Sequence, residues 1–218
     1  MTFLSETSRQ KHGHGEISGF TLVELLVVIV LLGVLLVLAL PSFNAVMQRY
    51  RVSMAASQIA NALQFARAEA IRTRGSIAVT KSSTPEPDCT DSGDSADWRC
   101  GVDVQATPGG ALLKTVAASS LRSVRVQVAP SAAAAGLTPT GAPAAISYSS
   151  FGYTCQAASA TAPCVGSAPS GLDRFIHIWP AALGDDPAAA AVVNTVCASM
   201  AGKVRVVGSY VTDPAGCI

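Results

Sequence analysis

Residues Phe20 to Leu40 read FTLVELLVVIVLLGVLLVLAL, with Thr21 and Glu24 as the clearly polar members. Twenty-one residues of α-helix rise about 31 Å, which matches the hydrocarbon thickness of a bilayer. Apolarity is unbroken from Leu25 to Leu40, so the stretch has no polar face and is not an amphipathic surface helix. A helix buried in a large soluble core is the first alternative, but the rest of the chain offers too little matching apolar surface to cover it. A secretory signal peptide is the second. It would have a shorter apolar run and a small-residue cleavage site beyond it. Here Pro41, Ser42 and Phe43 follow and a helical pattern continues, while Gly19, the glycine well placed for processing, stands before the run. The stretch is read as a transmembrane helix.

Working outward, Met1 to Gly19 is polar, MTFLSETSRQKHGHGEISG. Arg9 and Lys11 precede the span beside Glu6 and Glu16, and Arg49 and Arg51 follow it. The charge bias across the span therefore does not choose an orientation. Six cysteines favour export of the C-terminal part into an oxidising compartment. The 218 residues leave room for one compact domain plus an extra element, or two small domains. Charged residues are 13% of the chain, about half the usual share for soluble domains, and apolar residues are 50% with mean hydropathy +0.40. Those values exclude a disordered chain. A formal charge of +1 excludes a polybasic protein, so any contact with nucleic acid has to be local.

Glu24 is the most informative single residue. A carboxylate near the start of a membrane helix costs a few kcal/mol unless it reaches the interface or meets a partner. Snorkelling to the interface is the plain explanation. The sharper one is pairing: a cut between Gly19 and Phe20 frees an α-amino group one helical turn from Glu24. In a bundle of such helices the amine of one subunit neutralises the carboxylate of its neighbour and sets their register.

The string Gly19-Phe20-Thr21-Leu22-Val23-Glu24-Leu25-Leu26 resembles the leader junction of type IV prepilins, shared with the pseudopilins of type II secretion. The resemblance implies that residues 1–19 are a leader and that an inner-membrane prepilin peptidase cleaves after Gly19 and methylates the amine of Phe20. It also implies that Glu24, fifth in the mature chain, helps subunits enter a filament. Pro41 falls where pilins commonly kink this helix. The leader is longer than many in that family but is hydrophilic, as theirs are.

Further along, Val52, Ala56, Ile59, Leu63, Ala66 and Ala70 recur at alternating spacings of four and three, one stripe of a helix. Arg67, Arg72 and Arg74 lie off it, and Gly75 reads as a C-terminal stop. The pattern predicts one helix from about Phe20 to Arg74, with Pro41 as its weak point, transmembrane over 20–41 and amphipathic over 42–75. Within it, IANALQFARAEAIRTR (Ile59 to Arg74) resembles the GspH/FimT branch of the pseudopilins through Ala66-Arg67 and Glu69-Ala70-Ile71-Arg72.

Residues 76–218 read as a β-rich periplasmic domain. Candidate strands are Ser76–Lys81, Cys100–Gln105, Ala111–Val116, Arg122–Ala129, Ala145–Phe151, Arg174–Trp179 and Lys203–Val211. Val124, Val126 and Val128 alternate with Arg125 and Gln127, as on a half-buried strand. Long loops rich in Ala, Ser, Pro and Gly fall at Ser82–Trp98, Pro130–Pro143, Ala157–Leu172 and Ala181–Ala191. The expected fold is α+β and pilin-like: a long N-terminal helix packed on one small antiparallel sheet.

Cys89 and Cys100, Cys155 and Cys164, and Cys197 and Cys217 are spaced too widely for a zinc knuckle or a redox Cys-x-x-Cys. Fifteen pairings are open to six cysteines. Sequential pairing is preferred because it closes three local loops, each stabilising the fold by about 2–4 kcal/mol. Free buried thiols are the alternative. Cys217 is penultimate, so its bond ties down the tail.

No catalytic constellation stands out. After cleavage His177 is the sole histidine, in a strand, with no nucleophile set beside it by the sequence. Asp185-Asp186 sits in a Gly-Asp-Asp-Pro turn. Glu86, Asp88, Asp91, Asp94, Asp97 and Asp103 lack the spacing of an EF-hand and read as a solvated acidic loop. No enzyme activity, metal or cofactor is expected.

Two functions remain. In the first, the chain is a minor pilin or pseudopilin, anchored in the inner membrane and then built into a type IV pilus or a type II secretion pseudopilus. Its partners are the prepilin peptidase, other pilins and, before assembly, membrane lipid. In the second it binds DNA. Gly202-Lys203-Val204-Arg205 resembles a Gly-Arg-x-Arg motif near the C-terminus of FimT-type pilins that take part in DNA uptake, with Lys203 in place of the first arginine. Lys203 and Arg205 are two apart and share one side of a strand. They suit adjacent phosphates without reading sequence, although lysine lacks the bidentate fork. Arg122, Arg125 and Arg174 join them if the fold brings them close. The plain alternative is an exposed strand with solvated charges.

Overall fold

Thr21 caps the long helix. A computed structural model of the chain describes residues 19–84, 86–90, 93, 94, 96–107, 110–130, 145–155, 164 and 174–217, with the backbone alone at 37–42, 130 and 214. The chain divides after Asn44 into two units, taken separately below. Residues 1–18 of the expected leader, 1–19, lie outside the described residues, as do most of the loops expected at Pro130–Pro143 and Ala157–Leu172.

In the first unit, α1 (Leu22–Thr73) begins. The hydroxyl of Thr21 accepts the backbone N–H of Glu24 at 3.2 Å, and Leu25 N donates to Thr21 O at 3.2 Å. With Thr21 at the N-cap and Glu24 at the third helical position, Thr-Leu-Val-Glu is the sequence of a capping box. A negative charge in the first turn also suits the helix dipole. Pro41, the expected weak point, lies where only the backbone is described, and the helix is assigned through it. Among the described residues no helix is long and apolar enough to cross a membrane. The expected span runs into 37–41, and its fully described helical part, Leu22 to Leu36, rises only about 22 Å.

The rest of α1 belongs to the second unit. Val52, Ala56, Ile59, Leu63, Ala66 and Ala70 are all buried there, as the periodicity predicts, and Ala55, Ala60 and Ala62 widen the stripe. Alanine at so many contact positions lets the helix lie close to the strands beneath it. At its end, Arg74 N donates to Ile71 O and Gly75 N to Ala70 O, a Schellman arrangement. Arg74, not Gly75, takes the left-handed backbone, with φ of 52°. Gly75 is one residue further on, where the chain turns into β1.

Among the described residues nine antiparallel strands form two sheets rather than the single sheet expected. One has the order β3-β2-β1-β5-β6, the other β4-β7-β8-β9. In the first, β1 is Ser76–Lys81, β2 Val102–Thr107, β3 Leu112–Val116, β5 Ala145–Tyr148 and β6 Thr154–Cys155. In the second, β4 is Val124–Pro130, β7 Arg174–Pro180, β8 Asn194–Ala198 and β9 Val204–Val207. The sequence reading misses β6, which is two residues long, and β8, which is buried on both faces and so shows no alternation. The last strand is also shorter than predicted. Cys100 falls outside β2 because Gly101 takes φ of 116° and the Trp98–Gly101 turn precedes the strand.

One core joins the helix stripe to both sheets. It includes Val79, Val104, Ile146 and Tyr148 on the first, and Val126, Ile176, Ile178 and Val196 on the second. Trp98, fully buried, belongs to it because residues 96–98 run beside β4: Trp98 N donates to Val126 O and Val128 N to Ala96 O, both at 2.9 Å. Part of the loop expected at Ser82–Trp98 is thus ordered against a strand. Disulfides join Cys89 to Cys100, Cys155 to Cys164 and Cys197 to Cys217, with Cα separations of 5.6, 5.8 and 6.2 Å. Those separations fall in the ordinary range for the bond.

Candidate functional site

Two places gather the residues singled out by the sequence. The first is the helix start. Gly19 and Phe20 precede the cap outside the helix, and both are exposed. A Cβ added to Gly19 would meet nothing within 4 Å. Nothing in the described fold requires glycine there. Glu24 is exposed, and the large apolar side chains from Leu22 to Leu36 are between 44% and 80% exposed. Thr21 is the residue that sequence reasoning missed; its signal was the Thr-x-x-Glu spacing.

The second place is a groove of about 950 Å³ in the second unit. Gln64, Arg67 and Ile71 of α1 line one side. Ser199, Lys203, Arg205 and Cys217 line the groove from the sheet and the tail. Lys203 and Arg205 are both exposed. The turn before them is fixed by its backbone: Gly202 N donates to Ser199 O at 2.8 Å, Ser199 N to Lys203 O at 2.9 Å, and Lys203 N to the Ser199 hydroxyl at 3.1 Å. One Arg205 Nη donates to the carbonyl of Cys217 at 3.0 Å, so the disulfide to Cys197 anchors that acceptor.

Gly202 lines the groove and packs against Gly152. Gly152 and Gly202 have φ of 77° and 76°, in the left-handed region. A Cβ on Gly202 would land on the carbonyl oxygen of Gly152, and Cβ atoms at 152 and 202 would meet Arg67 Nε at 3.2 and 3.0 Å. The β5–β6 and β8–β9 turns therefore stack, with the Arg67 side chain over both. Thr154 N and its hydroxyl donate to Met200 O at 3.1 and 3.2 Å and hold the two turns together. Arg67 Nε is buried and has no hydrogen-bond partner among the described residues. Burial pushes the neighbouring Tyr148 hydroxyl far above its ordinary range, while the charge of Arg67 pulls it down.

The arginines expected to join Lys203 do not line the groove. Arg122 faces Glu86 and Asp88 at 4.0 and 3.7 Å, and Arg125 pairs with Asp185. Arg174 lies on β7, where burial lowers its pKa. Arg67 takes their place. In the sequence it stood off the helix stripe and within the Ala66-Arg67 pair, but its proximity to Lys203 depends on the sheet.

The expected acidic loop is not one feature. Asp103 is buried on β2 and accepts from Ser82 Oγ, Ser83 N and Thr115 Oγ1 at 3.0, 3.1 and 2.9 Å. Asp97 pairs with Arg99. Asp91 lies outside the described residues. Among the described residues no group of three potential metal ligands forms. Asp186 accepts from Ala188 N at 2.9 Å, an Asx turn.

His177 is buried beside Phe175 and Tyr210. The Thr195 hydroxyl donates to Ser209 O at 2.7 Å, so its single proton is committed. At 3.2 Å from that hydroxyl, His177 Nδ1 must be the donor. That leaves Nε2 bare, buried and without a partner among the described residues. Protonating it would bury an unpaired charge, and burial holds the pKa down at about 4.

A family model described as the prokaryotic N-terminal methylation motif matches residues 17–40, so the chain carries that motif. More particularly, it belongs to the GspH family: the model described as type II transport protein GspH matches residues 55–171. No curated protein matches. Among solved structures, the type IV minor pilin FimU of Pseudomonas aeruginosa (strain PAO1) is similar at 15% identity and TM-score 0.42, over 70% of this chain and 90% of that one. The minor pseudopilin EpsH from the type 2 secretion system of Vibrio cholerae is similar at 14% identity and TM-score 0.45, over 75% and 99%.

Proposed function

We propose that the chain is a membrane-anchored precursor, cut after Gly19 and methylated on the Phe20 amine by a prepilin peptidase, which then enters a type IV pilus as a minor subunit. The observation that carries this reading is the row of exposed apolar side chains from Leu22 to Leu36 behind a single carboxylate, Glu24. Each such side chain gains about 1.5–3 kcal/mol on leaving water, so the row needs lipid before assembly and neighbouring helices after it. The sequence continues apolar to Leu40 and completes a span of about 31 Å. In the fibre, Glu24 of one subunit meets the amine of the next, which compensates both charges away from water. The C-terminal domain is then periplasmic, where its disulfides form. A type II secretion pseudopilus uses the same parts, and in-cell cross-linking to pilus or secretion subunits distinguishes the two fibres. Glu24→Gln tests the mechanism: the variant should be processed normally yet be lost from the sheared filament fraction. Incorporation at the wild-type level would refute the pairing.

A second reading, DNA binding, is favoured by the groove. Lys203 and Arg205 flank it together with Arg67, and no carboxylate is among the described residues that line it. Two cations on adjacent alternate positions suit a phosphate backbone. Mobility shifts with Lys203→Ala/Arg205→Ala test it, and unchanged affinity would remove both residues from the account.

A further inference from the structure

We propose that Arg67 is a third and direct phosphate contact, so that the groove holds the backbone of duplex DNA without stacking on its bases. This rests on the DNA reading above.

Arg67 differs from its counterparts in its charge environment. Arg72, Arg99, Arg122 and Arg125 each pair with a carboxylate, whereas no carboxylate is among the described residues lining the groove. Its Nε, like that of Arg125, is buried without a partner among the described residues, and here the desolvated base of the side chain is held over Gly152 and Gly202. A guanidinium fixed in this way loses little freedom when it accepts a phosphate, and its planar fork suits two phosphate oxygens.

In the same groove, Lys203 and Arg205 are about 7 Å apart along the extended chain, close to the step between consecutive phosphates of one strand. Three cations then converge on one groove in a chain whose formal charge is only +1, which concentrates the positive potential there. The remaining described lining is aliphatic or small and polar, and none of it is aromatic. Binders of single strands gain much of their affinity from bases stacked on aromatic rings. A groove lacking such rings holds the backbone, and a duplex offers it at least as well as a single strand.

The test uses the full mature chain in detergent micelles with duplex and single-stranded oligonucleotides of equal length, titrated over a range of salt. Arg67→Gln should weaken duplex binding about tenfold at low salt and lower the slope of log affinity against log salt by about one. Gln64→Glu, an exposed change that puts a carboxylate into the groove, should weaken binding similarly with an unchanged melting temperature, which guards against a folding defect in the first variant. Arg67→Lys should keep the salt slope. Duplex should bind at least as tightly as single strand. If Lys203→Ala/Arg205→Ala abolishes binding while Arg67→Gln and Gln64→Glu leave affinity and slope unchanged, the DNA reading stands and the role of Arg67 is overturned. If the wild type binds no DNA but binds an acidic peptide, both are overturned, as the groove then serves a protein partner. Single strands binding tenfold tighter than duplex would overturn the stacking-free mode.

Discussion

Gly202→Ala tests whether the two turns that shape the groove are locked together. Alanine in the left-handed region costs about 1–2 kcal/mol by itself. At Gly202 the new methyl would also strike the Gly152 carbonyl oxygen, a backbone atom that cannot rotate away. Relief requires the turns to part, which forfeits the bonds of Thr154 to Met200 O, at about 1 kcal/mol each. The loss should total about 3–4 kcal/mol. For a chain of this size that lowers the melting temperature by about 6–16 °C. Gly110→Ala is the matched control: φ is 67°, yet a Cβ there meets nothing within 4 Å. It should cost only the backbone strain, about 1–2 kcal/mol. Thermal unfolding of the two variants in the same detergent gives the contact by difference. Equal losses would show that the turns are not stacked as described.

Three further outcomes follow from the second unit. Arg74→Gly should raise stability by up to about 1 kcal/mol in denaturant titration, because Arg74 holds a left-handed backbone at an exposed C-terminal cap. His177 is held at about 4 in the fold against 6.5 when free. As pH falls from about 6.5 to about 4, the unfolded chain takes up a proton that the folded chain resists, so stability complete above that window declines through it by on the order of 3 kcal/mol. His177→Phe should remove that component from the pH dependence of unfolding. Finally, Cys197→Ser/Cys217→Ser opens a loop of 20 residues and should cost about 3 kcal/mol, measured by chemical unfolding. It should also free the tail that presents the Cys217 carbonyl to Arg205.

Much of the helix was legible because its signals are local. The stripe from Val52 to Ala70 repeats within a single turn or two, and the buried face follows it residue by residue. Strands with a wet face were legible for the same reason: Val124, Val126 and Val128 are buried while Arg125 and Gln127 are less so. What failed was structure fixed from a distance. Asn194–Ala198 lies between β7 and β9, buried on both sides, so it shows no alternation. The stop at Gly75 lies one residue late because Arg74, not the glycine, takes the left-handed backbone of the cap. The groove could be half seen. Lys203 and Arg205 stand two apart in the chain, but Arg67 reaches them across more than a hundred residues, and Gly202 is glycine because of Gly152. Asp103 was grouped with loop acids by spacing alone, whereas its three hydrogen bonds depend on strand register. Thr21 was a local signal that the carboxylate at Glu24 overshadowed.

The account depends above all on a chain end created at Phe20. The deciding measurement is the intact mass and N-terminal sequence of the protein recovered from cells with an active prepilin peptidase. The expected species begins at Phe20, carries one methyl group on its amine and lacks residues 1–19. Recovery of the chain with Met1 to Gly19 still attached would contradict it.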